Sequence, residues 1–216
     1  MHTVIPLGRG SKWNNNELRY SLRSANYSEL WLIGEKPDWI NCNHIPHQEG
    51  GAPTLNIWNK VRKACLNPEV SDPFLFANDD YFYLQPIPQY YPYYYGDLRG
   101  NNTYKKIAHY TMSILRKAGM TDYFYDVHRP MIIHKEIFLA AYSYFEFHLK
   151  IGQGLVMKSC YGNFAEVKPV HCVDIKYAYW GGSPDVDMFS IGDGCIDLRF
   201  KAYCNQMWPD KSKFEK

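Results

Sequence analysis

Apolar and polar positions alternate along this chain in short blocks. The first block, Thr3-Val4-Ile5-Pro6-Leu7, ends in Gly8-Arg9-Gly10-Ser11; a short apolar run stopped by glycines predicts a buried strand and a tight loop. Residues 14–24 follow, with Leu18 and Leu22 one helical turn apart and asparagines ahead of them, which predicts a capped helix start. Glu29-Leu30-Trp31-Leu32-Ile33 predicts a second strand closed by Gly34, and Asn43-His44-Ile45 a short third. Residues 55–66 read as a helix, and Phe74-Leu75-Phe76-Ala77 as another buried strand running straight into Asn78-Asp79-Asp80. This alternation predicts an α/β fold, a mostly parallel sheet flanked by helices on both faces. Such sheets bind ligands beyond the carboxyl ends of their strands. Gly8-Arg9-Gly10-Ser11 and Asn78-Asp79-Asp80 both fall at such ends, so the active site is expected there.

The second half has a weaker rhythm. Residues 87–96 are rich in proline and tyrosine, with Tyr90-Tyr91-Pro92-Tyr93-Tyr94-Tyr95 inside, and are expected to form a surface loop or flap. Residues 105–118 read as a helix stopped by Gly119, and residues 134–144 and 155–161 as further helices. Residues 166–174 alternate well enough for a strand, confined to a sheet edge by Pro169. Residues 197–207 read as a last helix. No internal repeat or long linker divides the chain, so residues 1–216 are read as a single domain.

Composition narrows the class. With 46% hydrophobic residues the chain is globular rather than disordered. No apolar run reaches the roughly 18 residues of a membrane span, and the N-terminus lacks the layout of a secretion signal; a cytoplasmic protein is expected. A net charge of +2 argues against a general nucleic-acid coat. Six cysteines without a Cys-x-x-Cys pair suggest reduced, mostly buried thiols. Cys160, His171 and Cys172 are poorly spaced for zinc, and His44-x-x-His47 lacks a third ligand. Nineteen tyrosines within 17% aromatics suit sugar or base stacking, and equally suit filling a core.

Asp79 and Asp80 are the first candidates for chemistry. Adjacent carboxylates after a hydrophobic strand are costly unless paired, solvated or metal-bound. Mg²⁺ or Mn²⁺ would take such carboxylates together with phosphate oxygens. In the loop from Pro6 and Leu7 through Gly8, Arg9, Gly10 and Ser11, glycines let backbone N–H groups approach phosphates and Arg9 can add a bidentate contact. The loop is neither a Walker loop nor a dinucleotide fingerprint; an ordinary turn is the alternative. His128, in Tyr125-Asp126-Val127-His128-Arg129-Pro130-Met131, is a natural base for a hydroxyl nucleophile. Arg129 beside it could hold a phosphate. The bland alternative is a structural histidine before a proline-restricted turn. Asp193 could be a site carboxylate or a turn residue, and Lys158 a phosphate contact or a solvated lysine.

Asn16-Glu17-Leu18-Arg19-Tyr20-Ser21-Leu22-Arg23-Ser24 resembles the opening of the second conserved block of the Stealth family, nucleotide-sugar phosphotransferases of capsule synthesis and lysosomal enzyme tagging. The similarity continues through Leu30-Trp31-Leu32-Ile33-Gly34, Pro37-Asp38-Trp39-Ile40 and Ala52-Pro53-Thr54-Leu55-Asn56 to Phe74-Leu75-Phe76-Ala77-Asn78-Asp79-Asp80-Tyr81-Phe82. His128-Arg129-Pro130-Met131 resembles the third block, and Ile191-Gly192-Asp193 with Pro209-Asp210-Lys211-Ser212-Lys213-Phe214-Glu215 the last. The resemblance implies a nucleotide-sugar fold like that of GT-A glycosyltransferases, Rossmann-like in its sheet. It implies Asp79, Asp80 and Asp193 around a metal or the phosphates, His128 near the acceptor hydroxyl, and Arg19 and Lys158 as phosphate contacts. Where the family has a Trp-Val-Asp-Gly-type first block, this chain has Ile5-Pro6-Leu7-Gly8-Arg9-Gly10-Ser11, without an acid. That opening also looks like the first strand of ordinary glycosyltransferases.

The expectation is therefore a metal-assisted transferase using a nucleotide-sugar donor. It would move a sugar phosphate, or the sugar alone, to a hydroxyl acceptor. The acceptor could be a glycan or a hydroxylated nucleobase in DNA, with tyrosines 90–95 stacking on it and Lys60, Arg62, Lys105 and Lys106 as a local basic patch. A non-catalytic nucleotide-sugar-binding module is the rival from another class.

Overall fold

The structure, a computed structural model, describes residues 1–9, 11–88, 91–151 and 154–216; Gly10 of the first loop and Tyr90 of the tyrosine stretch lie outside the described residues. Strand β1 (Thr3–Leu7) is buried at every position, which is why its sequence is a continuous apolar run rather than an alternating one. It pairs in parallel with β2 (Leu30–Gly34) after helix α1 (Asn16–Ser24) has crossed over, and β2 pairs in parallel with β3 (Asn43–Ile45). Helix α2 (Pro53–Leu66) then returns the chain to the other side of β1, where β4 (Phe74–Phe76) lies parallel to it. After β5 (Tyr81–Tyr83), β6 (Tyr94–Tyr95) and helix α3 (Asn102–Lys117), strand β7 (Met131–Ile133) closes the main sheet antiparallel to β4. The order is β3-β2-β1-β4-β7. The strand order reverses between β1 and β4, and this switch point is where open α/β sheets leave a crevice.

Helices α4 (Lys135–Lys150) and α5 (Met157–Phe164) are followed by the two-residue strands β8 (Val170–His171) and β9 (Lys176–Tyr177). Strand β10 (Met188–Ile191), a 3-10 turn at Asp193–Cys195 and helix α6 (Leu198–Met207) complete the order. A second sheet runs β5-β10-β9, and β6 pairs with β8. Because β1 alternates its side chains, Val4 joins Trp58, Phe138 and Phe145 on one face of the main sheet, while Ile5 and Leu7 join Leu18 and Leu22 of α1 on the other. The second sheet has its own aromatic core, with Phe82 stacked on Phe189 at 5.1 Å between ring centroids.

The predicted α/β class and the parallel β1–β4 group hold, but the sheet is mixed because β7 enters antiparallel. Asn14 and Asn15 do not cap α1 with their side chains. Both take left-handed φ values, 54° and 58°, which asparagine tolerates, and the Ser11 hydroxyl accepts the Asn15 and Trp13 N–H groups instead. Of the expected tyrosine flap, Tyr91 is buried and Tyr94–Tyr95 form β6. Ring burial and pairing with β8 outweigh the loop tendency of the prolines. The strand expected over 166–174 shrinks to Val170–His171. Lys60 belongs to no surface patch; it is buried, with its ammonium on the Leu7 carbonyl at 2.9 Å and the Glu49 carboxylate at 2.6 Å. Arg62 stacks over the Tyr142 ring. All six cysteines are free thiols. Among the described residues, no helix is long and apolar enough to cross a membrane.

Candidate active site

Two clefts open at the carboxyl edge of the main sheet. The first, about 450 Å³, sits at the switch point. The loop after β1 contributes Gly8, Arg9 and Ser11, the first turn of α1 contributes Glu17, and the segment after β4 contributes Asp79 and Asp80. Lys176 of β9 and Gly192 and Asp193 beyond β10 close it from the second sheet.

Asp80 Oδ2 accepts the Ser190 hydroxyl at 2.7 Å and the Lys176 ammonium at 3.2 Å. Among the described residues, Asp79 has no such side-chain partner. Burial raises its carboxyl, and the neighbouring charges of Asp80 and Glu17 raise it further, to about 7. Glu17 is only 8% exposed, and its Oε2 has no hydrogen-bond partner among the described residues. Asp193 lies at the mouth, paired with Lys12 at 3.1 Å. Arg9 is exposed beside it, its Nε donating to Glu35 at 2.7 Å.

The second cleft, about 470 Å³, shares Lys176 and Gly192 with the first, so the two are contiguous. Tyr104, Phe124 and Tyr177 give it an aromatic lining; Asp126, His128 and Asp174 give it polar groups. The Tyr104 hydroxyl donates to Asp126. His128 Nδ1 lies 3.0 Å from both oxygens of Asp174, and the His128 backbone N–H donates to Oδ1 of the same carboxylate at 3.0 Å. Burial alone would raise the Asp174 carboxyl, but hydrogen bonding to His128 and the His128 and Lys158 charges hold it at about 2. An ionised Asp174 fixes the tautomer with the proton on Nδ1. Nε2, without a partner among the described residues, is then the basic nitrogen.

Lys158 carries the loop that presents His128. Its ammonium is buried and donates to the Val127 carbonyl and, at 3.2 Å, to the Arg129 carbonyl, the two residues flanking His128. Burial lowers its pKa. It lines neither cleft, so the expected phosphate contact is corrected to a support under the histidine. Lys158→Met is expected to cost about 1–3 kcal/mol in chemical denaturation, because two carbonyls lose their donor. A lysine reserved for phosphate would instead leave stability unchanged and weaken donor binding.

Three other expectations are corrected in the same way. Arg129 forms a two-pronged pair with Asp187 at 2.7 and 2.8 Å and stacks over Tyr94, away from both clefts. Arg19 stacks on Trp39 at 4.6 Å and faces Glu215 at 3.8 Å. Pro6 and Leu7 are buried within β1 and only carry the loop; Gly10 lies outside the described residues. The structure thus brings together Gly8, Arg9, Ser11, Asp79, Asp80 and Asp193 in one cleft and His128 in the other. Glu17, Asp174, Lys176 and Ser190 are additions. A signal for Glu17 was its place in the first turn of the helix after β1, which borders the crevice in such sheets. Lys176 opens a two-residue strand that leaves no periodic pattern, and Asp174 lies just before it.

Among the described residues, no group of three or more His, Cys, Asp and Glu side chains forms a metal cage. The donor set nevertheless suits Mg²⁺ or Mn²⁺, which take one or two carboxylates and complete their shell with phosphate oxygens and water. The partnerless Oε2 of Glu17 in this cleft agrees with an added cationic partner.

Fold and clefts together define an α/β protein with a carboxylate-rich crevice and an adjoining histidine–aspartate cleft at its sheet edge. No protein-family model matches the chain, and no curated protein is significantly similar to it.

Proposed function

We propose that this protein is a metal-assisted transferase that moves a sugar phosphate from a nucleotide-sugar donor to a hydroxyl acceptor. The observation that carries the reading is the junction of the two clefts: carboxylates at the sheet's switch point on one side, His128 held by Asp174 on the other. The β3-β2-β1-β4 order, shared with doubly wound nucleotide-binding sheets, supports the GT-A-like fold implied by the Stealth resemblance. A side recess of about 260 Å³, bordered by Arg9, Asn15 and Lys36, adjoins the acidic cleft and suits the nucleoside end of the donor.

In this reading Asp79 and Asp80 hold the divalent cation, which supplies positive charge against the diphosphate. Arg9 and the backbone around Gly8 meet the donor from the β1 side. The acceptor lies in the aromatic cleft, and His128 Nε2 takes the proton of its hydroxyl. That oxygen bonds to the β-phosphorus as the bond between the phosphates breaks, and a nucleoside monophosphate leaves. Asp174 is the positioning residue; it orients the imidazole and stabilises it when protonated. Attack at the anomeric carbon would instead transfer the sugar alone and release a nucleoside diphosphate.

The test is turnover of a panel of nucleotide sugars with Mg²⁺ or Mn²⁺, with nucleotide products resolved by mass spectrometry. Monophosphate release is the expected result. Diphosphate release would make the protein a glycosyltransferase, acting on a glycan or a modified nucleobase. Tight donor binding with no turnover under any acceptor would make it a binding module.

A further inference from the structure

Among the described residues, Lys176 is the only cationic one that borders both clefts. Its ammonium rests on Asp80 Oδ2, the same oxygen that accepts the Ser190 hydroxyl. The lysine side chain is 36% exposed, so this pair is partly solvated and weak enough to exchange. Around it stand Glu17, with an oxygen that has no partner among the described residues, and Asp79. In this ligand-free arrangement the lysine offsets carboxylate charge where the proposed cation would bind.

We propose that Lys176 is an exchange residue that couples cation binding to diphosphate binding: a divalent cation taking Asp80 releases the ammonium, which then contacts the donor phosphates. The inference rests on the nucleotide-sugar reading and adds to it a phosphate ligand and a binding order. A diphosphate arriving alone meets carboxylates whose charge one lysine offsets only in part, and that lysine is already engaged. A cation arriving alone must displace that lysine, which then has no anion to receive it. Each ligand removes the obstacle to the other, so each strengthens the other's binding by the same factor.

The experiment is calorimetry on the full chain with Mn²⁺ alone, with a nucleoside diphosphate alone and with both, corrected for their association in solution. Lys176→Met and Lys176→Arg are compared with wild type. Lys12→Met removes a charge at the mouth without touching Asp80, and controls for the general field. In wild type each ligand is expected to tighten the other at least about 10-fold, the scale of one charge-assisted hydrogen bond. Lys176→Met should bind Mn²⁺ alone more tightly than wild type and lose most of the coupling factor. Lys176→Arg should retain it, and Lys12→Met should leave it unchanged. Coupling of wild-type size in Lys176→Met, in a protein that binds both ligands, overturns the exchange role and leaves the transferase reading standing. A wild-type protein that binds neither Mn²⁺ nor the diphosphate overturns both.

Discussion

Replacing His128 with alanine is expected to lower transfer turnover about 10²- to 10⁴-fold, the usual contribution of a positioned general base. The geometry makes the loss specific. His128 borders the aromatic cleft, whereas Asp79 and Asp80 border the other, so donor binding should remain within about 2-fold of wild type while the chemical step fails. Asp174→Asn should reproduce much of the loss with the imidazole still present. An amide can offer its own N–H to Nδ1 and drive the ring proton to Nε2, where it blocks proton acceptance. Asp174 also sets a stability limit. Its folded value, about 2, lies below the ordinary 3.8. The stabilisation is therefore full above about pH 4 and is lost as pH falls towards 2. Asp174→Asn should flatten that acid limb of the denaturation profile. Full turnover by His128→Ala would remove the histidine from the mechanism, whatever Asp174 does.

How far the sequence carries to the structure differs by element, for physical reasons. Strands β1 and β2 are five-residue apolar runs buried throughout, and β4 sits in a similar run; burial on both faces writes itself into composition. The carboxylates after β4 were legible because a buried strand ending in two acids must end at a polar site. Strands β5 and β7 span three residues each and β9 two, too short for periodicity to separate them from loops. The cations were the hardest to place. Arg129 and Lys158 look available in sequence, and only tertiary structure shows that Asp187, 58 positions away, captures one and that the carbonyls beside His128 capture the other. His128 stood out by its chemistry, but its orienting partner lies 46 positions further on and no local pattern points to it.

The second large effect is a trade of stability for cation binding at Asp79. Burial, then the charges of Asp80 and Glu17, raise its carboxyl from 3.8 to about 7. Between those values the folded protein keeps a proton that the unfolded chain has lost. Stability therefore falls as pH rises through that window, and levels off above it. Asp79→Asn removes the titrating group while keeping the shape. The variant should match wild type near pH 4 and exceed it at pH 8 by at least about 2–4 °C in Tm, the equivalent of roughly 1 kcal/mol in a chain of this size. The same ionisation should govern the cation. Mn²⁺ binds the carboxylate and competes with its proton, so wild-type affinity should rise with pH up to about 7. Saturating Mn²⁺ with a nucleoside diphosphate should then close the Tm gap at pH 8 by stabilising wild type alone. Asp79→Asn should bind the cation poorly at every pH and lose turnover with it. Parallel pH–Tm curves for the two proteins, or equal Mn²⁺ affinity, would place the strained charge and the cation elsewhere in the cleft. Opposite effects of one substitution on stability and on cation binding are what a site held at an energetic cost for function produces.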